Sequence, residues 1–225
     1  MKMLKFTLML LLAATFMGDL AAQNIAVIIK IRGDVFVTPD QSTRSERARK
    51  GQVLKSGDKL ETAASSSCAI KFLDDKSLLR LKEKSTCIIE GKKKDDAIEK
   101  NIFAQVGSFF ASLFEPKGKF QVTTPTSVAS VKGTEFWVLQ SGQNGTTKYI
   151  TTEGTVEVEN SAGKVLVKEG QTAIVQSRSR RPEVRLTNSG EIPTDENRGA
   201  ESKTLDVEFE DANGEKRVLR IELEG

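Results

Sequence analysis

The chain has 225 residues, with 34 Lys and Arg against 31 Asp and Glu, a formal charge of +3 and no histidine. The missing histidine excludes serine or cysteine nucleophiles activated by imidazole and argues against ordinary zinc sites, and near-neutral charge at this length gives no electrostatic case for nucleic-acid binding. Two cysteines, Cys68 and Cys87, are too few for a metal site, and no carboxylate pair stands out where 29% of residues are charged, so no catalytic residue, metal or cofactor is expected.

Lys2 and Lys5 precede an uncharged apolar stretch from Phe6 to Met17. It is too short to cross a bilayer and has the layout of a secretory signal peptide. Small residues at Ala21 and Ala22 place the cut after Ala22, so residues 1–22 read as a signal peptide. No later stretch is comparably apolar. The mature product is therefore expected to lack a membrane span and to be periplasmic or secreted, with no cytoplasmic segment of its own.

Residues 23–176 read as β throughout, in short alternating runs divided by turn residues. The runs are Ile25 to Ile31, Val35 to Thr38, Lys59 to Thr62, Cys68 to Leu73, Ser77 to Leu81, Cys87 to Glu90, Ser108 to Phe114, Phe120 to Thr123, Val128 to Leu139, Lys148 to Thr152, Val156 to Glu159, Val165 to Lys168 and Thr172 to Gln176. Asp74-Asp75-Lys76 and Ser161-Ala162-Gly163 are the clearest turns between them. A short helix is expected over Ala97 to Phe103. The basic runs Lys92-Lys93-Lys94 and Arg178, Arg180, Arg181 fall in polar, turn-like segments and read as solvated loops. Glycine followed by alternating apolar residues recurs at Gly33, Gly107 and Gly154. That pattern favours a layered or solenoid-like β architecture, although glycine opens strands in many β proteins.

Residues 177–203 lose apolar periodicity, contain Pro182 and Pro193, and read as a linker. Residues 204–225 alternate again and form a β-hairpin. A two-residue Asn213-Gly214 turn would set Val207 against Arg220. A three-residue loop Ala212-Asn213-Gly214 instead sets Val207 against Leu219 and Leu205 against Ile221, with Asp206 facing Arg220 and Glu210 facing Lys216. A lone hairpin is at best marginally stable, so its apolar face must dock on the β-domain, a second copy or a partner. A partner is the functional expectation.

The densest segment is Thr124-Pro125-Thr126-Ser127-Val128-Ala129-Ser130-Val131-Lys132-Gly133-Thr134-Glu135-Phe136-Trp137-Val138. Ala129 and Val131 share one parity and Phe136 and Val138 the other, so a β-bulge is expected at Gly133-Thr134. Pro125 belongs at the strand's start, where no ladder hydrogen bond is lost. Trp137 then points to the second face, either into a further layer of the domain or out as a ligand platform. This segment closely resembles the FecR family, whose domain carries a Thr-Pro turn, an Ala/Val-rich strand and then Gly-Thr-x-Phe. Gly33-Asp34-Val35, Lys55 to Thr62, the strand pair across Leu73 to Ser77, and Glu153 to Val158 extend the likeness over residues 25 to 176.

The resemblance implies an all-β FecR-type domain in which Thr124, Pro125, Gly133, Thr134 and Phe136 are structural. The best-known members of that family regulate sigma factors through a cytoplasmic segment and a membrane span. Since this chain is expected to have neither, what carries over is a non-catalytic, exported cell-envelope module for protein interaction or signalling, its partner an unknown envelope protein. Cell-wall glycan binding is the alternative, and a carboxylate-based enzyme ranks last. Cys68 shares a face with Ile70 and Phe72, and Cys87 with Ile89, so both thiols point inward, either as a disulfide or as small buried hydrophobes.

Overall fold

The computed structural model describes residues 23–113, 115–194, 203–210 and 216–223. The expected signal peptide and its cut after Ala22 lie outside the described residues. Among those described, no helix is long and apolar enough to cross a membrane.

The strands form two stacked sheets. In spatial order the first contains β4 (Val53–Lys55), β1 (Asn24–Arg32), β6 (Ser67–Phe72), β7 (Leu78–Leu81), the second half of β9 (Ala97–Ser112), β12 (Glu135–Gln140), β13 (Thr147–Glu153), β16 (Gln171–Val175) and β17 (Glu183–Leu186). The second contains β3 (Glu46–Arg47), β2 (Val35–Thr38), β5 (Lys59–Thr62), β8 (Thr86–Lys94), the first half of β9, β10 (Phe120–Thr123), β11 (Val128–Val131), β14 (Thr155–Asn160) and β15 (Gly163–Lys168). Among the described residues every pairing is antiparallel except β9 with β10. The architecture is thus all-β and layered, as expected.

Alternation explains the core. On the first sheet Ile28, Ile70, Phe72, Leu79, Leu81, Phe109, Phe136, Val138 and Tyr149 point inward; on the second Val35, Val37, Leu60, Cys87, Ile89, Ile102, Phe120, Val122, Ala129, Val156 and Val158 meet them. Burying such side chains stabilises the fold by about 1.5–3 kcal/mol each. Phe72 and Phe120 meet edge to face across the layers, with ring centroids 5.8 Å apart.

The recurring glycines mark where the chain passes from one sheet to the other. Gly33 lies between β1 and β2, Gly154 between β13 and β14, and Gly107 inside β9, all with positive φ. At Gly107, φ is +113°, and a Cβ there would overlap the backbone and hydroxyl of Ser85. Only glycine lets one continuous strand pair with β8 before this point and with β12 after it.

Gly133, at φ +62°, makes a related passage and corrects the bulge expected there. The run from Val128 to Leu139 is two strands: β11 pairs with β10 and β14 in the second sheet, β12 with β9 and β13 in the first. The parity change is present, since Ala129, Val131, Phe136 and Val138 all reach one core. It is absorbed by changing sheets, and the register slip lies between β12 and β13.

Three other expectations are corrected. The helix over Ala97 to Phe103 is instead the first part of β9, where Ile98, Lys100, Ile102 and Ala104 alternate inward. Lys92 to Lys94 end strand β8 and do not form a loop. The linker is structured at its start: β17 extends the first sheet by pairing with β16, and a 3-10 turn, Ser189–Glu191, folds over that sheet's outer face, where Glu191 bonds Arg185 and Lys148. Arg178 and Arg181 donate to the carbonyls of Pro125 and Lys164, so the basic run pins this segment to the domain.

Beyond it, β18 (Lys203–Glu210) and β19 (Lys216–Leu223) pair in the expected register, with Val207 opposite Leu219, Leu205 opposite Ile221, Asp206 opposite Arg220 and Glu210 opposite Lys216. The loop itself lies outside the described residues. Val207 is buried against Val27, Ile29 and Ala69 on the outer face of the first sheet. The hairpin therefore docks on its own β-domain, contrary to the expectation of a partner, because that outer face is itself apolar.

Candidate interaction surface

Of the family-motif residues Thr124, Thr134 and Phe136 are buried, Pro125 and Gly133 are exposed turn residues, and the five do not converge on one site. Thr124 sits in the turn between β10 and β11 as the hub of a buried hydroxyl cluster. Its Oγ1 donates to the Ser127 carbonyl at 3.1 Å and lies 3.3 Å from Tyr149 Oη; Thr126 Oγ1 lies 2.6 Å from Thr147 Oγ1, and Thr147 bonds Gln140. Burial pushes the Tyr149 phenol up to about 12, against the opposing effect of its bonds with Ser127 and Thr124. Pro125 lies at the turn tip. At Gly133, Thr134 Oγ1 donates to the Thr155 carbonyl at 3.1 Å and ties the β11–β12 corner to β14. Phe136 is fully buried in the core. Thr124, Thr134 and Phe136 thus make contacts internal to the fold. Tyr149, Thr147 and Gln140 had no signal in the sequence, because their partner is a turn that only folding brings near.

Cys68 and Cys87 are free thiols of the same core, on facing sheets. Burial raises Cys68 to about 12 and raises Cys87 further. Neither is a nucleophile at neutral pH.

A cluster absent from the sequence reading sits where the β6–β7 turn meets β9. Lys100, pointing into the core, bonds Asp74 Oδ2 at 2.7 Å and Asp75 Oδ2 at 2.6 Å, and its side chain is 1% exposed. No group of three or more Cys, Asp or Glu among the described residues is placed to hold a metal ion.

The surfaces differ sharply. The outer face of the first sheet is closed, by the hairpin at one side and at the other around a cluster of Phe110, Trp137 and Ile150 beside the 3-10 turn. Trp137 is 2% exposed, so of its two expected placements it takes the packed one. The outer face of the second sheet is open and polar, with a shallow cleft of about 430 Å³ whose rim mixes Asp40, Glu90 and Glu99 with Lys92 and Lys119.

The sandwich's two open edges also differ. At the β3/β4 edge Arg44, Arg47, Arg49 and Lys50 crowd the surface, an arrangement that discourages strand pairing. At the other edge β15 and β17 end their sheets. Val184 lies opposite core residue Ala173, and Leu186 follows on the same side of β17, so core-side positions spill onto the rim. Leu186 is 76% exposed and Leu166 of β15 55%. An edge that, among the described residues, pairs on one side only and carries apolar side chains is what a β-strand from another protein can extend.

Residues 58–157 match the family model described as FecR protein. No curated protein matches the chain. Two crystal structures of a candidate anti-sigma factor from Parabacteroides distasonis are similar, each with a TM-score of 0.50, at 15% and 14% identity, covering 58% of this chain and 60% of that one. At such identity the likeness speaks for the fold alone, and the chain spans 60% of those proteins' length.

Proposed function

Because the chain carries a FecR domain at residues 58–157, we propose that it is a non-catalytic, exported cell-envelope module that signals by binding another protein along the β17 edge. The observation that carries this reading is the strand Glu183–Leu186, which among the described residues pairs with β16 alone and places Val184 and Leu186 on its core side between the charged Glu183 and Arg185. The occupant is an extended segment of an envelope protein. Its backbone would complete the ladder, and alternate apolar side chains would cover Val184 and Leu186. Export rests on the signal-peptide pattern of residues 1–22, and it requires the mature chain to begin at Gln23.

Cell-wall glycan binding gains no support. The single tryptophan and the single tyrosine, the natural sugar-stacking platforms, are 2% and 0% exposed.

The test is a photo-reactive residue placed at Leu186 or, as control, at Glu90 on the open polar face, followed by cross-linking in growing cells. The expected result is one discrete protein adduct at position 186, lost when Val184 is changed to Lys, and none at position 90. Adducts from position 90 alone would refute the edge, and a chain recovered from the cytosol starting at Met1 would refute export.

A further inference from the structure

We propose that the side chains of Lys100 and Asp75 are joined in the mature protein by an amide bond that the fold itself makes, with Asp74 as proton relay. On β9, Lys100 occupies a core-facing position between Ile98 and Ile102. The side chains of Asp75 and Asp74 are 0% and 7% exposed, so one ammonium is sealed in with two carboxylates. The cluster carries one excess negative charge in a desolvated place, and condensation leaves it on Asp74, where the Ile98 N–H holds Oδ2 at 2.9 Å. The hydrogen bonding of the ion pair is unbalanced. Lys100 Nζ meets four oxygens, those of Asp74, Asp75, Ile98 and Lys117, with three protons to give. Asp74 Oδ1 and the neighbouring Ser77 Oγ are buried with no partner.

The same geometry suits condensation. The Asp75 carboxyl is polarised from both sides, since Oδ2 accepts from Lys117 N–H and Oδ1 from Ser77 N–H, each at 2.9 Å. Those donors stabilise the oxyanion that forms when nitrogen adds to Cγ. Asp74 Oδ2, 2.7 Å from Nζ, takes the ammonium's proton and frees the lone pair. The Phe72 ring, 5.5 Å from Nζ, helps exclude water. The Nζ–Cγ bond forms and one Cγ–O bond breaks. Two of the three Nζ protons reach the departing oxygen by way of Asp74, the third stays on the amide nitrogen, and Asp74 ends as the carboxylate it began as. One ammonium and one carboxylate give one amide and one water, with charge conserved and no oxidant. The water leaves at the exposed turn of Lys117, whose N–H bonds Asp75 Oδ2. Contact removes the entropy cost of bringing the groups together, and the Lys117 and Ser77 N–H groups with the Asp74 relay supply the polarisation and the protons.

The bond would tie the β6–β7 turn to the strand shared by both sheets, and unlike a disulfide it would survive reductant. The test is mass spectrometry of the purified mature protein. The expected intact mass is one water below that of the sequence, and a tryptic digest should join the peptide containing Asp75 to an uncleaved peptide spanning Lys100. Lys100→Arg should restore the full mass, and Asp74→Asn should leave much of the chain unjoined. Wild-type protein at full mass with separate peptides overturns the proposal, whatever the variants' stability. So does a water deficit that persists in Lys100→Arg.

Discussion

Replacing Gly107 with Ala should be far more damaging than the same change at Gly145, although both glycines have positive φ. At Gly145 φ is +70° and no atom lies within 4 Å of a Cβ. The cost there is that of a left-handed alanine, about 1 kcal/mol. At Gly107 φ is +113°, where a side chain is strained by about 1–3 kcal/mol. The new methyl would also overlap Ser85, which is fully buried and whose Oγ accepts from Ser108 N–H at 3.0 Å. Moving Ser85 aside breaks that bond, at about 1 kcal/mol, and overpacks the corner by a further 1–3 kcal/mol or so. The total is about 3–7 kcal/mol, a large share of the roughly 5–15 kcal/mol of a typical domain. Urea unfolding followed through the single, buried Trp137 measures both variants against wild type. A difference between them below about 1 kcal/mol would refute the claim that β9 changes sheets through a glycine-only corner.

Tyr149 is the only tyrosine, so its phenolate absorbance can be titrated in isolation. Its folded pKa, about 12, lies above the ordinary 10.0, so the folded state holds its proton where the unfolded state releases it. Stability should be unaffected by this group below pH 10 and fall between pH 10 and 12, by on the order of 3 kcal/mol; phenolate appearing near pH 10 in folded protein would contradict this. Val207→Ala should loosen the hairpin's docking by about 1–2 kcal/mol, read as faster amide exchange in β18 and β19 with β1 and β6 unchanged. Equal exchange in wild type and variant would mean that Val207 does not anchor it. Cys68 and Cys87 should both resist alkylation in native protein and both react after denaturation without reductant. Failure of the denatured chain to react would show a disulfide.

Strand content, the inward faces and the hairpin register were legible in the chain because they depend on parity alone. A side chain's face alternates along a strand whatever the strand pairs with, so Val207 had to oppose Leu219 once charge was kept off the apolar face. The Gly-Thr-x-Phe segment was legible for a similar reason, since it combines a local backbone need with local parity. Where the reading failed, the deciding contact came from far along the chain. Lys100 broke the apolar alternation of β9 and made a strand look helical; what permits a lysine there is Asp74 and Asp75, carried in by another hairpin. The 183–186 segment looked like linker because it gains its ladder only from β16. Gly107 and Gly133 were visible as glycines, but whether a glycine makes a bulge or a passage between sheets depends on which strands stand on either side. Val207 was visible as an apolar residue in need of cover. That Val27 and Ile29 supply it was decided by tertiary structure, because a strand buried on both faces says that something covers it without saying what.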